Sequence, residues 1–85
     1  MPPMIDFPCH FPIKIIFKNE PGAQDALLAI VRHHHPDILE DAFVMHPSQN
    51  GNYISLTATV LAQNQASLDN LYRDLTQNPY TKMVL

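Results

Sequence analysis

The chain has 85 residues, 46% of them hydrophobic and 15% charged, with a formal net charge of -3 and one cysteine. That length supports one domain and one core, and the balance of apolar to charged residues is that of a globular protein rather than a disordered one. The 5 Lys and Arg residues are scattered, which speaks against a phosphate-binding basic stripe and hence against nucleic acid as a partner. One cysteine excludes an intramolecular disulfide.

Residues 1–12 carry Pro2, Pro3, Pro8 and Pro12, interleaved with Phe7 and Phe11. Proline locks φ and pushes the preceding residue toward extended geometry, so this segment is expected as an extended arm anchored by its phenylalanines. It has no basic region followed by an apolar run and does not read as a signal peptide. No apolar stretch of the chain approaches the roughly 20 residues that cross a bilayer, so no membrane partner and a cytoplasmic location are expected.

A compact domain is expected over residues 13–85. Ile13, Ile15 and Phe17 alternate with Lys14, Ile16 and Lys18, the period of a strand with one buried face. Asn19, Glu20, Pro21 and Gly22 break it. A helix is predicted over 21–34, with Pro21 in its first position and Ala23, Ala26, Leu27, Ile30, Val31 and His34 on one stripe. Pro36 ends it. Residues 37–41 form a loop with one short turn near Ile38 and Leu39, and a second strand is predicted over 42–46. The run Pro47-Ser48-Gln49-Asn50-Gly51 is dense in turn formers.

Residues 53–61 form the clearest strand, with Ile54, Leu56, Ala58 and Val60 alternating with Tyr53, Ser55, Thr57 and Thr59. Asn64 caps a helix over 65–77, whose Leu68, Leu71, Tyr72 and Leu75 make a narrow apolar seam. Asn78-Pro79 ends it, and residues 80–85 form a last strand. The order is βαββαβ. Short connections and right-handed crossovers then select an α+β, ferredoxin-like two-layer sandwich, with antiparallel sheet order 4-1-3-2 and both helices on one face.

In this setting the sequence resembles the YbeD-like family of small bacterial proteins. The resemblance spans nearly the whole chain and rests on several local matches. These are Phe7-Pro8, the strand-loop-helix unit ending near Arg32-His33, and Pro47-Ser48 followed by Gly51-Asn52-Tyr53 and Ser55. Leu71-Tyr72 and the terminal Met83-Val84-Leu85 complete the set. It implies a fold like that of ACT regulatory domains and a regulatory role linked to lipoate biosynthesis, with no established biochemical activity. Together with the residues it leads to the expectation of no cofactor and of a protein partner, an enzyme among the candidates. ACT domains often carry Asp-x-Pro-Gly between the first strand and helix. Asn19-Glu20-Pro21-Gly22 stands there in this chain, with Asn in place of Asp.

Three groups of residues bear on chemistry. The turn bearing Asn19, Glu20 and Gly22 is the candidate ligand site, because a helix N-terminus offers unpaired N–H groups and partial positive charge to a carboxylate. The same residues have a simpler role in starting the helix, and the charge of Glu20 opposes an anion. His33, His34 and His35 suggest a metal, but consecutive helical residues diverge by about 100° and do not converge on one ion. Their simpler role is interaction with the helix dipole. Cys9 and His10 are adjacent in an extended segment and point to opposite sides, which separates a nucleophile from its base.

The second predicted strand, with Phe43, Val44 and Met45, lacks the charges that guard a sheet edge. Either the N-terminal arm covers it or another chain, including a second copy, pairs with it. Burying Phe43 or Met45 fully is worth roughly 1.5–3 kcal/mol each, which matters in a domain that hides only about 60% of its unfolded surface.

No grouping of catalytic residues is apparent, so the chain is expected not to be an enzyme. Two binding functions are expected from it. One is a regulatory module acting on a partner protein. The alternative is a dimeric sensor of an amino acid or other small carboxylate.

Overall fold

The computed structural model describes residues 7–85. Pro2 and Pro3 of the expected arm lie outside the described residues.

β1 spans Cys9–Lys18 and β3 spans Tyr53–Ala62; they pair antiparallel over their whole length, from Cys9 opposite Ala62 to Lys18 opposite Tyr53. β1 therefore begins four residues before the expected start at Ile13, and the last four residues of the Pro-rich segment belong to a strand of the sheet rather than to a separate arm. Pro12 is tolerated there for a geometric reason. The Lys14 amide and carbonyl both bond to Leu85, on the side away from β3. Strand alternation points the Pro12 nitrogen to that same side, where no pairing partner among the described residues reaches it. Phe7, Cys9 and Phe11 pack half-buried against the core, which is the anchoring expected of the two phenylalanines.

β2, Phe43–Pro47, flanks β3, and β4, Thr81–Val84, flanks β1, so the four-stranded sheet has the order β2-β3-β1-β4. This is the expected 4-1-3-2 arrangement read from its other edge. β4 pairs with β1 at Ile15, Ile16 and Phe17, with a register shift between Ile16 and Phe17. Ala42, expected as the first residue of the second strand, belongs instead to a 3-10 turn, Glu40–Ala42, closed by the Ala42 amide on the Leu39 carbonyl at 3.0 Å.

Helix α1, Ala23–His34, and helix α2, Gln65–Gln77, cover one face. Ala23, Leu27 and Val31 of α1 and Leu68, Leu71 and Leu75 of α2 meet Ile13, Ile15 and Phe17 of β1 and Leu56, Ala58, Val60 and Ala62 of β3. All of these are buried, and no polar residue is buried with them among the described residues. Among the described residues, the opposite face, with Lys14, Ile16, Lys18, Tyr53, Ser55, Thr57 and Thr59, carries no layer above it. Asn64 caps α2 as expected, its Oδ1 accepting from the Ser67 amide at 2.8 Å.

Pro21 departs from its expected place. It is not the first residue of α1. The Ala23 amide bonds the Glu20 carbonyl at 3.0 Å and Gly22 has φ 83° and ψ -11°, so residues 20–23 form a type II turn with Pro and Gly in their favoured central positions. The helix starts only after this turn.

Candidate functional site

The turn between β1 and α1 is held by the β2–β3 hairpin. The Asn19 amide bonds the Asn52 carbonyl at 3.0 Å, and Asn19 Nδ2 donates to the Gly51 carbonyl at 2.8 Å. Asn19 thus does not cap α1. It fastens two loops at the same end of the sheet, and Gly51 meets it with its own positive φ of 77°. The first turn of α1 has no side-chain cap and contains Asp25. Glu20 and Gly22 are exposed beside it. The Tyr80 hydroxyl lies 4.0 Å from where a Gly22 Cβ would sit, so the hydroxyl and the turn face one another.

The three neighbouring histidines separate, as helical geometry requires. His34 Nε2 lies 2.6 Å from Asp74 Oδ2 and links α1 to α2. His33 is exposed and meets the His34 ring edge-on, with centroids 5.5 Å apart. His35 ends the helix, its amide bonding the Val31 carbonyl at 2.8 Å. Burial, and secondarily the charge of His34, lower the His35 pKa below 6.5. Its Nε2 is buried with no hydrogen-bond partner among the described residues. His46 sits on β2 opposite Ser55, away from this group. Among the described residues no three His, Cys, Asp or Glu side chains are arranged to hold a metal ion.

Cys9 and His10 face opposite ways. Cys9 packs toward the core, whereas His10 is exposed and lines a cleft. That cleft, about 650 Å³, lies where β3 outruns β2. The β2 ladder ends at Phe43 opposite Ala58, while β3 continues to Ala62. The chain following α1 skirts this space, its 3-10 turn Glu40–Ala42 still in contact with β3, and His35, Leu39 and Asp41 form one wall with Thr59 and Leu61 opposite. No residue of this wall except His35 stood out in the sequence. Ile38 and Leu39 offer the only local hint, an apolar pair set between Asp37 and Glu40, and Leu39 is 70% exposed.

The outer edge of β2 is the remaining feature. Phe43 and Met45 turn inward and are half-buried, and Val44 points to the open sheet face, 47% exposed. No described residue pairs with that edge. Residues 9–12, part of the segment considered as its cover, are committed to β1, with β3 standing between them and β2. Arg32 from α1 stacks its guanidinium over the Phe43 ring at 5.5 Å, bracing the start of the strand.

These elements define a domain of the ferredoxin-like fold, with two helices over one side of an antiparallel sheet. Three solved structures share that fold. Protein HP0495 from H. pylori aligns with a TM-score of 0.75 at 15% identity, over 99% of this chain and 88% of that one. The ACT domain from GTP pyrophosphokinase of Chlorobium tepidum aligns at 0.72 and 14% identity, over 91% and 97%. The C-terminal domain of the MgtC protein from Mycobacterium tuberculosis aligns at 0.71 and 22% identity, over 96% and 89%.

The family model described as "Protein of unknown function (DUF493)" matches residues 2–85, and the chain belongs to that family. UPF0250 proteins of Paraburkholderia phymatum and Neisseria gonorrhoeae are each 42% identical to it over 96% of this chain, covering 92% and 90% of their own lengths. The resemblance read from the sequence is borne out. No helix among the described residues is long and apolar enough to cross a membrane.

Proposed function

We propose that this chain is a non-catalytic regulatory module that acts by docking on a partner protein through the outer edge of β2. The observation that carries this reading is the edge itself. On the outer side of Phe43–Pro47 the Met45 amide and the Phe43, Met45 and Pro47 carbonyls have no strand paired to them among the described residues, the Phe43 amide being taken up by the Glu40 carbonyl. The strand has no Lys, Arg, Asp or Glu among its five residues. Sheet edges without such guards pair readily with another chain. The fold supports the reading, since one structural neighbour is an ACT domain that forms part of a larger enzyme. The partner class implied by the YbeD-like resemblance is an enzyme of lipoate biosynthesis.

Affinity capture with the full chain, compared with Val44→Lys, tests this. Val44 is exposed and paired with Thr57, so the lysine leaves the core intact while charging the edge. A partner recovered by the native chain and lost with Val44→Lys is the expected result. Equal recovery by both, or no stable partner for either, refutes edge docking.

A second reading, a carboxylate sensor at Asn19, Glu20 and Gly22, is favoured by the uncapped start of α1 facing the Tyr80 hydroxyl. Asn19 has its side-chain amide committed to Gly51, which leaves backbone N–H groups as the recognition elements. A thermal-shift panel of amino acids and metabolites checks it, and a flat response across the panel rejects it.

A further inference from the structure

We propose that the cleft beside the end of β3 binds an extended, apolar peptide segment flanked by Lys or Arg, which adds to the sheet as a short strand against Thr59 and Leu61. The proposal rests on the binding-module reading above but places the contact at a different surface from the outer edge of β2.

The backbone geometry comes first. The Ser48 amide bonds the Tyr53 carbonyl at 2.8 Å, so the odd-numbered residues of β3 direct their N–H and C=O groups toward β2. Val44 takes up Thr57 and His46 takes up Ser55 in that ladder. Thr59 and Leu61 follow in the same phase, but the ladder has ended at Phe43 and Ala58. Their backbone groups on that side thus open into the cleft, at the spacing an added strand requires. Among the described residues no strand pairs with them there.

The side chains select the occupant. Leu61 is 43% exposed and Leu39 is 70% exposed, and together with Ile38 they line the cleft with apolar surface. Asp37 and Asp41 lie on its loop wall, beside His34 and His35 and across from His10, and no lysine or arginine lines it. Neither aspartate forms an ion pair among the described residues; the nearby Arg32 reaches Glu40 instead, at 3.8 Å. Apolar surface with an unpaired acidic wall is complementary to an apolar strand with a basic flank. The cleft volume of about 650 Å³ lies in the range of ordinary ligand sites. The buried, unpartnered Nε2 of His35 on the same wall adds a polar atom that this chain leaves unsatisfied.

The experiment is selection of a random heptapeptide library, displayed on phage, against the full 85-residue chain. The enriched peptides are then synthesised with a fluorescent label and titrated by anisotropy. Enriched sequences are expected to alternate apolar residues and to carry Lys or Arg. Leu61→Pro is the decisive variant. It removes an N–H that faces the cleft and takes no part in the β1 ladder, whereas Leu61→Ala keeps it. Leu61→Pro is expected to weaken binding about fivefold to tenfold relative to Leu61→Ala. The double variant Asp37→Lys, Asp41→Lys is expected to reverse the charge preference of the selected peptides. Thermal unfolding of each variant verifies that it folds. If Leu61→Pro does not fold, the charge-reversal variant alone decides.

Failure to enrich any peptide overturns the proposal, as do enriched peptides without basic residues or binding unchanged by the variants. Self-association of the native chain in sedimentation, abolished by Leu39→Lys, assigns the cleft to a second copy and overturns it as well. Val44→Lys separates the two readings. Peptide binding that survives in Val44→Lys while partner capture is lost supports both surfaces. Partner capture that depends on Val44 with no peptide selected leaves edge docking standing and removes only the cleft.

Discussion

His34 Nε2 and Asp74 Oδ2 stand 2.6 Å apart, joining the last turn of α1 to the last turn of α2. His34 keeps only 18% of its side chain exposed while Asp74 keeps 47%, so one partner is sheltered and the other wet. The contact locks the two helices at the end of the domain where the cleft begins. A double-mutant cycle with His34→Ala and Asp74→Ala is expected to give a coupling of about 0.5–1 kcal/mol in urea unfolding, within the range for partly exposed pairs. A coupling near zero means that the helices are held by their apolar seam alone.

His35 sets a pH dependence of its own. Its pKa in the folded chain is lowered from 6.5, first by burial and then by His34, so the unfolded state takes up a proton more readily than the folded one. The penalty is absent above the unfolded value of about 6.5 and grows as the pH falls from there toward the folded pKa. The native chain should therefore lose stability as the pH falls through and below about 6.5, and His35→Gln should show a shallower loss. Parallel slopes for the two proteins in thermal melts over that range refute the role assigned to His35.

Gly22 and Gly51 both adopt positive φ, at 83° and 77°. Around a Gly22 Cβ the nearest atom is the Tyr80 hydroxyl at 4.0 Å, so an added methyl meets backbone strain rather than a clash. Gly22→Ala is expected to cost roughly 1–2 kcal/mol, and Gly22→Asn less, because Asn enters the left-handed region more easily. Equal stability of Gly22→Ala and the native chain, measured by urea unfolding, contradicts this account of the turn.

The start of α2 and its seam differ in scale. Asn64→Ala removes one capping bond and should cost about 1 kcal/mol. Leu75→Ala empties a fully buried site between α2 and the sheet and should cost about 2–5 kcal/mol. In a domain this small the second loss is close to the whole margin of stability, so Leu75→Ala is expected to populate unfolded chain at 37 °C by circular dichroism, whereas Asn64→Ala stays folded.

The periodic parts of this fold were legible in the chain itself. Leu68, Leu71 and Leu75 recur at helical spacing after a capping Asn, and the bounds of α2 at Gln65 and Gln77 follow from that pattern and from Asn78-Pro79. Ile54, Leu56, Ala58 and Val60 alternate without interruption and place β3. Such features depend on residues close in sequence, and their patterns persist whatever surrounds them. Pro12 and Pro21 were harder, because a proline tells where an N–H is missing but not which neighbour would have needed it. Whether Pro12 sits in a strand turned on how far β4 reaches along β1, and whether Pro21 opens a helix or a turn depended on the φ of Gly22.

The sites were decided almost wholly by tertiary structure. The sequence showed that Phe43, Val44 and Met45 form an unguarded strand, but only the sheet order showed that β1 draws residues 9–12 away from it. His34 and Asp74 lie 40 residues apart, and nothing local to either announces their contact. The cleft exists because β3 is ten residues long and β2 five, a mismatch that becomes a space only once the two strands are paired in register. Local patterns determine which side of each element is apolar; where two elements stop relative to one another depends on packing across the whole chain, and that is where the exposed backbone of Thr59 and Leu61 comes from.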